Sequence, residues 1–250
     1  MRPDWDAGER VGAAMSERAG GVSVAPYDTL NLGDHVGDAA EAVLENRARW
    51  QREIGARPVY RRQVHGTAVI RAAGGAGRGE PAQADAAVTT EPGIACTVLV
   101  ADCMPVLLAA PGGRGVGAAH AGWRGLAGGV VEAALRALCE AAACEPGEVA
   151  AWLGPCIGPR RFEVGAEVVQ AFGGALDGSD PERFIPRPRP DGALRWLANL
   201  PRLGGDRLRG AGVRRIAGGR WCTVEDASRF FSFRRDGVTG RLAASVWIRD

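Results

Sequence analysis

Apolar side chains recur at two different spacings along the chain, and segments of the two kinds alternate. The spacing of three to four residues that is typical of amphipathic helices marks 39–55, 126–143 and 164–172. Short uninterrupted apolar runs, typical of strands buried on both faces, cover 86–90, 96–100, 106–110, 116–119, 149–153 and 243–248. Because strands and helices are mixed along the whole sequence, we predict an α/β fold in which mixed sheets are flanked by helices.

The remaining segments carry weaker signals. Loops are predicted where turn-forming residues accumulate, over 1–40 (with short strands), 74–83 and 173–192. A strand is predicted over 64–72, with His65 near its start, and a helix over 194–208 that is interrupted near Pro201. Neither a shift in composition nor an internal repeat divides the sequence, so we predict a single domain over 1–250.

The charged residues exclude several classes of function. The chain has 31 basic and 29 acidic residues, and every basic residue is an arginine. A net charge of +2 gives no electrostatic basis for a protein held to nucleic acid or to a membrane surface. The absence of lysine excludes Schiff-base lysine chemistry and the P-loop lysine. Arginine is therefore the only strong cation available for a phosphate or a carboxylate.

The sequence predicts a cytoplasmic protein without a membrane partner. No apolar run approaches the ~20 residues that a membrane-spanning helix requires. The N-terminus carries Asp4, Asp6, Glu9 and Arg10 and lacks the apolar core of a signal peptide. The six cysteines show no closely spaced pair of the CxxC type, and we expect them to be reduced.

The histidines form the central chemical signal. All three, His35, His65 and His120, lie in short motifs with small residues, and Cys103 lies in a similar one. Two histidines and a cysteine can supply three zinc ligands and leave a fourth position open, as in catalytic zinc sites. Cys103 and His120 each follow an apolar run, so the two would meet if those strands are neighbours.

These residues allow three interpretations. His65, Cys103 and His120 could bind a catalytic zinc ion. Alternatively, Cys103 could be a nucleophile whose base is His120, with no metal required. In the third interpretation, the histidines are core or capping residues and the cysteine is a small buried apolar residue. The residues alone do not decide between them.

Two further motifs suggest candidate site residues. The glycine-rich turn Gly122–Leu126 leads into a predicted helix, where free N–H groups and Arg124 could bind an anion, although a simple tight turn explains it as well. Glu163 could be a general acid or a carboxylate at a helix N-terminus, and we favour the structural role.

Taken in order, these motifs resemble the YfiH family, also called the laccase-domain or polyphenol oxidase family. The resemblance covers nearly the whole chain. It rests on Ser16–Ser23, Pro26–Gly33, the motifs around His65, Cys103 and His120, Leu153–Gly158, and Phe230–Arg241. Many family members have tyrosine where Phe162 and Phe233 stand in this sequence, so any contact made by those hydroxyl groups is absent here.

The resemblance implies a fold related to the cysteine hydrolase domain of cytotoxic-necrotizing-factor toxins. It also implies a zinc ion on His65, Cys103 and His120, with copper as the alternative metal. A multicopper centre would need more imidazole ligands than three histidines can supply. The implied activity is phosphorolysis of adenosine, inosine and methylthioadenosine, in some members with deamination of adenosine. An alternative is a Cys–His amidase that edits peptidoglycan precursors.

Roles for individual residues follow as predictions. The expected partners are a purine nucleoside and phosphate, without nucleic acid, in a monomer or a small homo-oligomer. The predicted catalytic residues are His65, Cys103, His120 and Glu163. The predicted substrate-binding residues are Arg18, Asn31, His35, Arg47 and Arg124, of which Arg47 and Arg124 are candidates for phosphate and His35 for proton donation to the leaving purine.

Overall fold

The computed structural model describes residues 1–74 and 81–250, so part of the predicted loop over 74–83 lies outside the described residues. The α-helices are α1 (Ala40–Ile54), α2 (Trp123–Gly128), α3 (Val130–Ala142), α4 (Ala166–Ala171), α5 (Leu200–Gly210) and α6 (Phe233–Asp236). The strands are β1 (Val11–Met15), β2 (Arg57–Val59), β3 (Val69–Arg71), β4 (Ala86–Thr89), β5 (Ile94–Val100), β6 (Met104–Ala109), β7 (Val116–Ala121), β8 (Ala150–Leu153), β9 (Glu163–Val164), β10 (Phe184–Pro186), β11 (Trp196–Ala198), β12 (Arg215–Gly218) and β13 (Leu242–Ile248).

Two sheets pack face to face at the centre of the molecule. The first has the strand order β1-β13-β5-β2 and the second β12-β8-β6-β7-β4-β3. Val98 of β5 and Val246 of β13 share one buried cluster with Leu107 of β6. The next residue of β6, Leu108, belongs to a different cluster on the opposite face of its sheet, as the alternation of side chains along a strand requires. A small third sheet has the order β10-β11-β9.

Helices cover the outer faces of both central sheets. Trp50 of α1 packs with Leu99 on the outer face of the first sheet. Leu135 of α3 and Leu203 of α5 belong to the cluster on the outer face of the second. Both sheets contain parallel and antiparallel pairs, for example β2 with β5 and β13 with β5. The predicted α/β fold of mixed sheets flanked by helices is therefore confirmed.

Most of the predicted elements are present, with shifted ends. The helix predicted over 39–55 is α1, and the six apolar runs form β4, β5, β6, β7, β8 and β13. The helix predicted over 126–143 is instead two helices, because Gly129 interrupts it with a left-handed φ of 98°. The strand predicted over 64–72 is wrong in its first half, since β3 begins only at Val69 and His65 lies in the preceding turn.

The prediction for 194–208 is wrong in its first part, where β11 precedes α5. The side chain of Asn199 accepts a hydrogen bond from the backbone N–H of Arg202 and caps the helix. Pro201 therefore lies in the first turn, where its missing N–H removes no intrahelical hydrogen bond, and it does not interrupt the helix. The loop predicted over 173–192 contains β10, which pairs with β11.

Two predictions concern the chain as a whole. None of the helices among the described residues combines the length and the apolar character needed to cross a membrane. The division of the chain into a single domain over 1–250 stays a prediction.

Candidate metal centre

The three candidate ligands converge at one end of the central strands of the six-stranded sheet. Strands β6 and β7 are antiparallel, with Met104 opposite Ala121, so Cys103 lies beside the end of β7 that carries His120. His65 reaches the same end of these strands from the turn before β3. The Sγ atom of Cys103 is 3.6 Å from Nε2 of His65, and the ligand atoms of all three residues lie within 4.8 Å of one another. This group could hold a metal ion.

A buried carboxylate connects the turn of His65 to His120. Asp85 is fully buried directly before β4. Its carboxylate accepts hydrogen bonds from the backbone N–H groups of Val64, His65 and Gly66 at 3.1, 2.9 and 2.7 Å. It also lies 2.8 Å from Nδ1 of His120. An Nδ1–H donated to Asp85 leaves Nε2 of His120 free to bind a metal, so Asp85 positions two of the three ligands.

The backbone has an unusual conformation at one candidate ligand and directly before another. His65 has a φ of 59°, in the left-handed region that non-glycine residues seldom adopt. Asp102, directly before Cys103, has a φ of 94°. The carboxylate of Asp102 accepts hydrogen bonds from the hydroxyl of Thr223 at 2.5 Å and from the backbone N–H of Arg234 at 2.6 Å. These bonds hold strained backbone in place, as is common at functional sites.

A glycine is required where the three ligands meet. Gly122 follows β7, and a Cβ atom there would lie 2.8 Å from the Sγ atom of Cys103 and 2.8 Å from Cδ2 of His65. Both distances are shorter than side-chain packing allows, so any larger residue would displace the ligands. The glycine-rich turn therefore has a structural reason independent of anion binding.

The electrostatics favour a thiolate at Cys103. Burial raises the pKa of its thiol, but the positive charge of His120 and hydrogen bonds from both histidines more than offset this effect and lower the pKa to about 6. Burial lowers the pKa of His120, whereas the Cys103 thiolate and the carboxylate of Asp85 raise it well above its usual value. Without a metal, the pair is therefore a thiolate and an imidazolium near neutral pH.

A cavity of about 430 Å³ opens above the three ligands. Its walls are largely apolar and aromatic, and its polar lining includes His35, Gln63, Arg234 and Arg241. The apolar lining includes Leu99, Val100, Trp123, Ile157, Phe162, Leu200 and Phe233. Flat apolar walls suit an aromatic ring, and the two arginines can receive an anion.

The structure places three of the remaining predicted site residues on the surface around this cavity. His35 lines the cavity and is exposed. Arg124 is exposed on α2, with its guanidinium 4.3 Å from the centre of the Trp123 ring. The carboxylate of Glu163 pairs with Arg189 in a neighbouring depression. The catalytic role of Glu163 and the substrate-binding roles of the other two stay predictions.

The other three predicted residues are bonded to the protein itself. Asn31 is buried, and its amide makes four hydrogen bonds. Arg47 donates to a backbone carbonyl and pairs with Asp34 at 3.1 Å. Arg18 donates to two backbone carbonyls and pairs with Asp28 at 3.1 Å. None of the three is among the described residues that line the cavity, and their contact with substrate stays a prediction.

Three residues of the site were missed by the sequence analysis. The sequence contains a signal that could have identified Asp85, because this residue is a lone carboxylate directly before an apolar run. Gln63 is the first residue of the motif around His65, and it exchanges two hydrogen bonds with the backbone of Leu99, at 2.8 and 2.7 Å. Arg241, whose pKa is lowered by burial, lies at the end of the last motif. Nothing in the local pattern separates it from the other arginines.

Comparison with known proteins gives consistent matches over the whole chain. A family described as "Multi-copper polyphenol oxidoreductase laccase" matches residues 12–249. A protein of Pseudomonas aeruginosa named purine nucleoside phosphorylase is 45% identical, over 100% of this chain and 98% of its own length. The purine nucleoside phosphorylase YfiH of Escherichia coli is 43% identical, over 98% of this chain and 97% of its own length.

Solved structures agree with the sequence matches. The crystal structure of a Neisseria meningitidis protein superposes with a TM-score of 0.89 at 41% identity, covering 100% of this chain and 99% of that one. The structure of YlmD from Geobacillus stearothermophilus has a TM-score of 0.86 at 31% identity, with coverage of 97% and 93%.

Proposed function

This chain belongs to the multi-copper polyphenol oxidoreductase laccase family, which includes the YfiH proteins, and we propose that it is a purine nucleoside phosphorylase. The observation that carries the proposal is the convergence of His65, Cys103 and His120 at the base of a cavity with apolar walls and two arginines. Relatives that are 45% and 43% identical carry the name of this activity. We further propose adenosine, inosine and methylthioadenosine as substrates.

We propose zinc as the metal of this site. From Zn–S and Zn–N bond lengths of about 2.3 and 2.1 Å, a tetrahedral site requires a separation of roughly 3.6 Å between the sulfur and nitrogen ligands. The 3.6 Å between Sγ of Cys103 and Nε2 of His65 matches this value. A chain with three histidines cannot supply a multicopper centre, although a single copper ion remains the alternative. When bound, the metal supplies Lewis-acid chemistry beside the substrate.

The residues around the metal centre can each contribute to phosphorolysis. The purine ring would lie between the apolar walls, which also exclude water from C1′ of the ribose. Phosphate would bind at Arg241, or at the neighbouring Arg234, and attack C1′ as the C1′–N9 bond breaks. The departing purine needs a proton, and His35, which lines the cavity, is the donor that we propose.

The first experiment is product analysis of adenosine with purified protein whose metal content has been measured. Phosphorolysis predicts adenine and ribose 1-phosphate in the presence of phosphate and no product in its absence. Formation of inosine without phosphate would instead indicate deamination by a metal-activated water. No turnover of adenosine, inosine or methylthioadenosine by fully zinc-loaded protein would contradict the proposal.

The second candidate function is a Cys–His amidase that acts on peptidoglycan precursors. The pairing of the Cys103 thiolate with His120 favours it, because this is the arrangement of an activated nucleophile. It differs from the first function in one requirement, since the amidase would work without metal. Activity of metal-free protein on a cell-wall precursor, combined with no phosphorolysis by the metal-loaded form, would favour the amidase.

The state of Cys103 can be measured by alkylation of the metal-free protein. Because its pKa is lowered to about 6, the rate of reaction with iodoacetamide should rise with a midpoint near pH 6. An ordinary cysteine has its midpoint at about pH 8.5. Mass spectrometry of the modified peptide identifies the residue, and Cys144, whose pKa is raised by burial, is the internal control in the same sample. A His120→Gln variant should shift the Cys103 midpoint upward, and a midpoint of wild-type Cys103 at that of Cys144 would contradict the electrostatics described above.

A further inference from the structure

A concave surface lined by six arginines adjoins the cavity of the metal centre. It encloses about 700 Å³. We call this surface the basic depression, and its arginines are Arg160, Arg161, Arg187, Arg189, Arg195 and Arg234. Trp123, Phe162 and Arg234 line both the basic depression and the cavity, so the two are contiguous.

A β-hairpin directs half of these arginines to one face. The hairpin extends β10 and β11, and its backbone pairs Arg187 with Arg195 through an N–H···O bond of 2.7 Å. Arg189 lies two positions after Arg187, and side chains two positions apart along a strand share a face. Residues that pair across an antiparallel ladder share a face as well. Arg160 and Arg161 approach from the loop that follows β8.

The positive charge of the basic depression is only partly balanced. Glu163 pairs with Arg187 and Arg189, and Glu225 pairs with Arg160 and Arg161. Glu167 also lines the basic depression, so three carboxylates face six arginines. Within residues 1–74 and 81–250, no carboxylate lies within 4.0 Å of the guanidinium of the two other arginines, Arg195 and Arg234. Like charges gathered on a concave surface repel one another and attract anions.

The arrangement indicates which anion fits. A guanidinium group offers parallel N–H donors that match the oxygens of a phosphate group. The basic depression is continuous with a cavity that, under the proposed function, receives a purine nucleoside. We propose that the basic depression binds the phosphate groups of a purine nucleoside 5′-phosphate whose base and ribose occupy the cavity. The base-and-ribose part of this assignment rests on the proposed function.

The test is calorimetric titration of zinc-loaded protein at low salt with ADP, adenosine and inorganic phosphate. ADP should bind at least about tenfold more tightly than adenosine, because its phosphates contact several guanidinium groups. The double variant Arg187→Gln and Arg195→Gln should lose most of this advantage while its affinity for adenosine stays unchanged. The control is the double variant Arg52→Gln and Arg136→Gln, which removes the same charge from exposed positions elsewhere. It should retain the advantage.

Three results would overturn the assignment. ADP and adenosine could bind equally well, or the two double variants could lose the same affinity for ADP. In the third case, the variant with Arg187→Gln and Arg195→Gln would lose affinity only for inorganic phosphate, which would make the surface a free-phosphate site. These results are distinguishable from failure of the proposed reaction. Adenosine that binds without being phosphorolysed contradicts the reaction, but it leaves the nucleotide site intact.

Discussion

Replacing Cys103 by alanine is expected to abolish stoichiometric zinc binding and to lower kcat/KM for adenosine phosphorolysis by at least about 100-fold. Residues that only support a metal ligand already contribute about 10–100-fold to affinity or activity, and Cys103 is one of the three candidate ligands. Its side chain is half-buried beside the cavity, so the change to alanine should leave the fold intact. The measurements are zinc content after gel filtration and steady-state kinetics with saturating phosphate.

A matched control separates the loss of the site from the loss of a cysteine. Cys144 is also half-buried, and it lines a different depression, beside the end of α3. Cys144→Ala should keep both zinc and activity. If Cys103→Ala retained full activity on every nucleoside, both the metal-centre and the thiolate mechanism would be excluded. If it lost zinc but kept phosphorolysis, the metal would have no part in the reaction.

Replacing Asp85 by asparagine should weaken zinc binding by about 10–100-fold and destabilise the protein by about 1–3 kcal/mol. Asp85 is buried, accepts hydrogen bonds from three backbone N–H groups and faces Nδ1 of His120. Asparagine has nearly the same shape, but one of its two polar atoms is a donor. At least one of these donors would therefore lose its acceptor. Zinc titration and urea unfolding measure the two effects.

The pH dependence of the free energy of unfolding, measured at acidic pH, provides a readout specific to the Asp85 carboxylate. Burial raises the pKa of Asp85, but hydrogen bonds from His120 and the backbone lower it by a larger amount. The pKa of Asp85 in the folded protein therefore lies below the ordinary value. Its contribution to stability is fully present above the unfolded pKa of about 3.9 and is lost as the pH falls through the folded pKa. In the Asp85→Asn variant, this decrease in stability at acidic pH should be absent.

The control for Asp85 is an exposed carboxylate with a similar local bond. Asp177 accepts a hydrogen bond of 2.9 Å from the backbone N–H of Ser179. The variant Asp177→Asn should keep its zinc affinity and lose little stability, because water can replace the bond. Equal effects of the two substitutions on zinc binding would show that Asp85 does not position the ligands.

Much of the fold could be predicted because its signals are local. The helix α1 and the buried strands carry their apolar patterns within single segments, and the burial of those patterns determines the layers. The predictions failed where the outcome depended on one capping bond or one backbone angle. Asn199 converted an expected interruption at Pro201 into a helix start, and Gly129 divided one expected helix in two. Apolar spacing does not contain such information.

The sequence by itself determined the chemistry available to this protein. Side-chain identity determines which groups can bind metal or phosphate. The candidates for metal are few, namely three histidines and a cysteine in a similar motif, and arginine is the only strong cation available for phosphate. The tertiary structure decided which of these groups act together. The register of β6 with β7 places Cys103 beside His120, and Asp85 holds the turn of His65 against them.

The arginines illustrate most clearly the difference between what the sequence and what the tertiary structure determine. All are alike in sequence, yet Arg18 and Arg47 pair with carboxylates, whereas Arg234 and Arg241 line the cavity and donate to backbone carbonyls. Sequence motifs show which donors exist, but they do not show whether a guanidinium group lines a cavity or is paired with a carboxylate of the folded chain. That depends on contacts between residues far apart in the chain, which strand pairing and packing determine and local pattern does not.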